Sequence, residues 1–190
     1  MADPLHEQNP HICAVCHARG TGCCLFIPGL ESQMFGLTSG EIEAISNHTG
    51  LSPDQFTLQD VAGKEFLDGL ASIHPVFLNT MPGGLRFRLI LKSDRCFFLG
   101  QHGCTLPNSV RPLFCRLYPF WFTPKERLMV LTSDRCMAQA DAESIAQVLR
   151  LMKTDEKTMK KLFDQFMDLA NQHYNRHLNR HTLYSDQSLP

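Results

Sequence analysis

The chain carries almost no net charge, no long apolar run and none of the usual catalytic constellations. Its 18 Lys and Arg nearly cancel 19 Asp and Glu, leaving a formal charge of -1. Without bulk basicity there is no electrostatic footprint for nucleic acid, and without an acidic excess there is no solvating tail. No stretch approaches the length of a membrane span, and the N-terminus MADPLHEQNPHICAVC has no apolar segment behind a basic start. These absences lead us to expect a soluble, cytoplasmic protein with neither a nucleic-acid nor a membrane partner. No paired carboxylates, Ser/His/Asp arrangement, C-x3-C-x2-C run or Gly-rich methyl-donor loop stands out, so a binding module is expected over an enzyme.

What the sequence does have is cysteine, eight in 190 residues. A chain of this length forms one ordinary domain and buries a core without covalent staples. In a reducing compartment a cysteine-rich pattern points to metal ligation or thiol chemistry rather than to structural disulfides. The spacing is C-x2-C-x6-C-C for Cys13, Cys16, Cys23 and Cys24, then C-x7-C-x10-C for Cys96, Cys104 and Cys115, with Cys136 after twenty more residues. A C-x2-C turn with Gly20 and Gly22 behind it is a ligand knuckle. Cys13-Ala14-Val15-Cys16-His17 also matches the C-x-x-C-H of haem attachment, which would demand export. Zinc and the common iron–sulfur clusters each take four cysteine ligands, so eight sulfurs allow two full sites or one site with spare thiols. Adjacent side chains in an extended backbone diverge, so Cys23 and Cys24 are expected to serve neighbouring sites, or to divide between ligand and support. Arg95, Arg111 and Arg116 lie near the second group of sulfurs, and Cys115-Arg116 is the first candidate for a ligand beside its charge-balancing neighbour.

The expected fold is α+β, mainly helical, with a small antiparallel hairpin or sheet, a cysteine metal cluster and two C-terminal helices. Residues 1–12 read as a flexible lead-in, 13–138 as the cysteine-cluster domain, 139–182 as helices packed on it and 183–190 as a tail. Thr38-Ser39-Gly40-Glu41 opens a helix that ends before Gly50, and Ser52-Pro53-Asp54 opens a second. Residues 63–82 have no clear period. Leu85–Leu91 reads as a half-exposed strand paired with Cys96–Leu99 as a hairpin around Lys92–Arg95, and Leu128–Leu131 as a third strand. A short helix capped by Ser109 starts at Pro112, stops before Pro119 and carries Cys115. Ile145, Val148, Leu149 and Met152, then Met159, Leu162, Phe163, Phe166 and Ala170, mark two amphipathic helices that offer a surface to a protein partner. His173, His177 and His181, four apart, are either a metal-binding face or a solvated one.

Cys13, Cys16, Cys23 and Cys24, CFFLGQHGCTL, and Arg111-Pro112-Leu113-Phe114-Cys115-Arg116-Leu117-Tyr118-Pro119 together resemble the YkgJ family of cysteine-cluster proteins, whose motif R-P-x-x-C-R-x-[YF]-P the last segment fits. The resemblance covers Cys13 to Cys136; the gap before the vicinal pair is longer than in the family, and Cys136 lacks a Pro-Gly segment. It implies a zinc- or iron-chelating domain in which Cys13, Cys16, Cys23, Cys24, Cys96, Cys104, Cys115 and Cys136 are metal ligands and Arg111, Arg116 and Tyr118 stand by the cofactor. A similar cysteine region occurs in flagellin lysine-N-methylases, for which an iron–sulfur cluster is implied; the missing methyl-donor loop keeps their activity from being carried over. The cofactor expected is an iron–sulfur cluster of the 4Fe–4S type, or Zn2+. The competing expectation is a thiol/disulfide switch using Cys13 and Cys16, or Cys23 and Cys24.

Overall fold

The computed structural model of the chain describes residues 12–133 and 135–185, with side chains over 14–133 and 135–172. The protein is α+β and mainly helical, with four small two-stranded antiparallel sheets among the described residues. Helix α1 (Ile12–Ala18) carries the first two cysteines, and α2 (Ser39–Thr49) and α3 (Pro53–Phe56) follow a long irregular stretch. The start of α2 is a capping box: Thr38 Oγ1 accepts from Glu41 N while Glu41 Oε2 accepts from Thr38 N at 2.8 Å, and Gly50 closes the helix in the left-handed region. Ser52 and Gln55 repeat the box at α3, with Pro53 where a missing N–H costs nothing.

Residues 64–73, where no period was expected, form helix α4 (Lys64–Ile73). Its signal is confined to Phe66, Leu67 and Leu70 on one face, interrupted by Gly69. The strand at 85–91 is β2 (Leu85–Leu89), but its partner is β1 (Thr57–Val61), in register Asp60 with Arg86 and Leu58 with Arg88. The expected hairpin around 92–95 exists only as β3 (Leu91–Lys92) against β4 (Arg95–Cys96). A second short hairpin, β5 (Leu99–Gly100) with β6 (Gly103–Cys104), follows at once.

The β1–β2 pair is inverted relative to ordinary amphipathic strands. Arg86 and Arg88 are buried, while Val61, Leu85 and Phe87 face out. Both guanidinium groups bond to the Asp60 carboxylate, and Arg86 also donates to the carbonyls of Glu31 and Met34. A buried charge survives only when paired and hydrogen-bonded. These bonds satisfy that condition and tie the 31–34 segment to the sheet.

Helix α5 (Leu113–Leu117) is capped by Pro112 rather than Ser109, and the chain leaves it through a cis Tyr118–Pro119 peptide into β7 (Phe120–Phe122), which pairs with β8 (Leu128–Val130). Short helices α6 (Met137–Ala140) and α7 (Ile145–Leu151) lead to the long α8 (Glu156–Ser185). The inner face of α8, with Met159, Leu162, Phe163, Phe166 and Ala170, packs on Phe77, Trp121 and Phe122 in an aromatic core. A smaller core joins Leu37, Ile45, Phe56, Leu89, Phe98 and Leu106. Cys136 belongs to the first core, whereas Cys96 and Cys104 pack on the second.

Candidate metal centre

Seven cysteines distant in sequence line one cavity of about 90 Å³: Cys16, Cys23, Cys24, Cys96, Cys104, Cys115 and Cys136. The side chain of Cys13 lies outside the described residues, as do those of His173, His177 and His181; the backbone of Cys13 forms part of α1, one turn before Cys16. Six local structures bring the seven together. Helix α1 supplies Cys16, and the turn from Gly22 to Leu25, closed by Leu25 N to Gly22 O at 3.1 Å, supplies Cys23 and Cys24. The two hairpins supply Cys96 and Cys104, α5 supplies Cys115, and the first turn of α6 begins at Cys136. Cys24 O accepts from Cys96 N at 2.9 Å, pinning the N-terminal group to the central one.

None of the seven is joined in a disulfide. Cys115 has open surface although protein surrounds it, because that surface faces the cavity and a second, adjoining one. Burial pushes the Cys115 thiol well above the ordinary range, and the charges of Cys24, Cys96, Cys104 and Glu41 push it further. Burial likewise raises Cys96, up to about 12, with Cys24 and Cys104 adding to the effect. The sulfurs of Cys96 and Cys104 accept from the backbone N–H two residues on, at Phe98 and Leu106, which lowers each thiol in partial compensation. Such N–H···S bonds stabilise a thiolate and tune a metal bound to it. Cys16, raised by burial, accepts in the same way from Met137 N–H.

Cys24 departs from this pattern. A hydrogen bond from Cys23 lowers its thiol, against burial, and Arg111 lowers it further. The vicinal pair therefore lies in a turn with its side chains in contact, not in the extended backbone that would make them diverge. Arg111 also moderates Cys104, and its Nε and Nη2 donate to the carbonyls of Leu106 and Cys104 at 2.8 and 3.5 Å. Arg111 and Tyr118 line the cavity; Arg116 does not. Neighbours on a helix point about 100° apart at 3.6 residues per turn, so Arg116 cannot share the direction of Cys115. Burial lowers the Arg116 pKa, the Glu41 charge opposes that shift, and Arg116 Nε is buried without a partner. The guanidinium acting on Cys24 and Cys104 is that of Arg111.

Two site residues are not picked out by cysteine spacing. Glu41 Oε1 accepts from Leu113 N at 2.8 Å while Oε2 holds Thr38, so one carboxylate joins α2 to the start of α5. The Thr38-x-x-Glu41 pattern is its only signal in the sequence. His17 lines the cavity with a buried Nδ1 that has no hydrogen-bond partner. Among the described residues, no three His, Cys, Asp or Glu side chains converge on a point able to hold an ion; the thiols line a space instead. The adjoining cavity, about 350 Å³, shares Cys23, Cys24, Cys96, Cys115 and Tyr118 and is otherwise walled largely by apolar side chains such as Phe35, Leu37 and Phe114.

Gly103, with φ of +105°, makes the turn that presents Cys104. An added Cβ would meet nothing closer than Ala14 Cα at 3.8 Å, so the cost of substitution is conformational. Gly103→Ala is expected to destabilise the protein by about 1–2 kcal/mol and to speed alkylation of Cys104, both measurable by denaturant titration and peptide mapping.

No described helix is long and apolar enough to cross a membrane. No protein-family model, curated protein or solved structure matches the chain.

Proposed function

We propose that the protein is a metal-binding module whose cysteine thiolates hold an iron–sulfur cluster. The observation that carries this reading is the gathering of seven cysteines, none in a disulfide, from six local structures around one cavity. Soft thiolate ligands select zinc, copper(I) and iron–sulfur clusters. A lone tetrahedral zinc at about 2.3 Å from four sulfurs draws them to within about 4 Å of each other and leaves no water-sized space between them. A cavity of about 90 Å³ has room for more than one water-sized group and suits a polynuclear group better. The buried, unpartnered His17 Nδ1 and the backbone N–H···S bonds at Cys16, Cys96 and Cys104 add to the fit. Cys24, Cys96, Cys104 and Cys115 are the leading ligands, with Arg111 offsetting their charge and Tyr118 in the wall. The resemblance of the segment 111–119 to the YkgJ motif R-P-x-x-C-R-x-[YF]-P points the same way. Such a group supplies electron transfer, sensing or structural cross-linking, and the outer face of α8 offers a surface to a protein partner.

Anaerobic purification followed by an absorption spectrum and assay of iron, sulfide and zinc tests the proposal. Stoichiometric iron and sulfide with a broad visible band are expected. Stoichiometric zinc without colour would replace the cluster by zinc, and a folded, colourless, metal-free protein would overturn the reading.

The contact between Cys23 and Cys24 favours a second reading, a thiol switch. Cys23 is exposed and Cys24 is made more acidic, so loss of two protons and two electrons to a small disulfide would join them. Thiol counts in metal-loaded and metal-free protein, with and without reductant, separate the two readings.

A further inference from the structure

The larger cavity, about 350 Å³, has no role in metal binding, yet its size and walls are those of a small-molecule site. Such sites are concave and mostly apolar, with a few placed polar groups that orient the ligand. One wall is the irregular stretch 25–36, which contributes Ile27, Leu30, Met34 and Phe35 and has a single short 3-10 turn of its own (Glu31–Gln33). Bonds from distant parts of the chain hold that stretch in place. Arg86 donates to the carbonyls of Glu31 and Met34, Phe26 N donates to Asp94 O at 2.7 Å, and Arg135 Nη1 donates to Leu25 O at 2.9 Å. An apolar strap tied by polar bonds at several points spans the space without filling it, so the cavity is preformed.

The two sides of the cavity differ in character. Toward the main core it is aromatic: Phe35 stacks on Phe114 with ring centroids 4.2 Å apart and meets Phe166 at 5.7 Å. Toward solvent stand Ile27, Leu30, Gln33, Thr132 and Arg135, all exposed, and these mark the mouth. Two charged side chains line the cavity, and one of them is already committed. Glu41 receives Thr38 N, Thr38 Oγ1 and Leu113 N. Arg135 is fixed through its bond to Leu25 O, and among the described residues no carboxylate pairs with it. A guanidinium carries further N–H donors in a rigid fork that matches a carboxylate.

We propose that this cavity binds a small amphiphilic carboxylate, its apolar body against Phe35, Leu37 and Phe114 and its charged end on the Arg135 guanidinium at the mouth. The apolar lining accounts for the body and the unmatched cation for the sign of the head. Cys115 and Tyr118 stand in the walls of both cavities, so a ligand seated here shares a partition with the thiols. Binding does not depend on the metal-binding reading.

The test is calorimetric titration of the full-length protein, purified anaerobically, with octanoate and with its neutral counterpart 1-octanol, beside Arg135→Gln and Arg135→Lys. Arg135 is exposed, so both variants leave the core untouched, and circular dichroism checks that they are folded. Wild type is expected to bind one octanoate per chain, on the order of tenfold more tightly than octanol. Arg135→Gln is expected to lose that preference with octanol binding unchanged, and Arg135→Lys to recover part of it, because the charge remains while the fork is lost. Photo-crosslinking with diazirine-tagged octanoate, mapped by peptide mass spectrometry, locates the site. Labels at Phe35, Leu37 or Phe114 that excess octanoate competes away are expected. Absence of saturable octanoate binding, equal affinity of wild type for octanoate and octanol, undiminished octanoate binding in folded Arg135→Gln, or labels confined to other segments would each overturn the proposal.

Discussion

Stripped of metal, the protein loses stability as the pH is raised through the thiol range, by an amount on the order of a few kcal/mol. In the folded chain Cys16, Cys96, Cys104 and Cys115 are all raised, Cys96 to about 12 against an ordinary 9.0. Between those values the unfolded chain gives up protons that the folded chain keeps, so the unfolded state binds fewer protons and the stability of the fold falls as pH rises. The contribution is complete below about pH 8, where both states are protonated, and is lost progressively toward pH 12. Cys24, lowered in the fold, works in the opposite direction and offsets part of the loss. Metal bound as proposed would invert the outcome. Thiolates replace thiols as ligands, protons are released on binding, and metal affinity increases with pH. Denaturant titrations at pH 7 to 10, with and without metal, check both signs. Cys96→Ser should flatten the slope of the metal-free protein; an unchanged slope would contradict the account.

Glu41→Ala is expected to cost about 3 kcal/mol and to weaken the proposed metal centre together with the fold. The Glu41 carboxylate receives three donors, Thr38 N, Thr38 Oγ1 and Leu113 N, at 2.8 to 2.9 Å. Removing it strands two buried backbone N–H groups, one of them at the first residue of α5, two positions before Cys115. A helix start with its N–H groups unpaired frays, and Cys115 frays with it. Glu41→Gln keeps the volume but sets an amide donor against a donor, so it recovers only part of the loss. The midpoint of denaturation and the iron retained on gel filtration should fall together in the order wild type, Gln, Ala. A variant of wild-type stability would show that α5 is held by packing alone.

Local elements marked by capping chemistry were legible before any coordinates. Thr38 with Glu41, Gly50, and Ser52-Pro53 set the limits of α2 and α3 because these residues satisfy helix ends within a single turn of chain. Helix α4 was not, since Gly69 interrupts a stripe of three apolar residues, and its burial comes from residues 75–80 and the aromatic core rather than from its own period. The stretch holding Arg86 and Arg88 reads as a half-exposed strand; the two arginines point inward because Asp60, twenty-six residues before Arg86, lies opposite it in the sheet. Ser109 has the chemistry of a cap but stands too far from Leu113 to serve as one. Arg116 adjoins Cys115 in sequence, yet helical geometry sends it elsewhere, and Arg111 takes the place beside the sulfurs.

The sequence by itself determined that seven of the eight thiols stand in two groups with Cys136 apart, that Cys115 rides on a short helix between Pro112 and Pro119, and that charge and hydropathy point to no other chemistry. Tertiary structure decided which thiols share a cavity, that the vicinal pair sits in a turn, and that Glu41 and Arg111 rather than Arg116 govern the ground around Cys115. The reason is one of range. Caps, turns and helical spacing act over a few residues and are written locally, whereas a cavity wall assembled from positions 16 to 136 depends on strand pairing and core packing that no local pattern encodes.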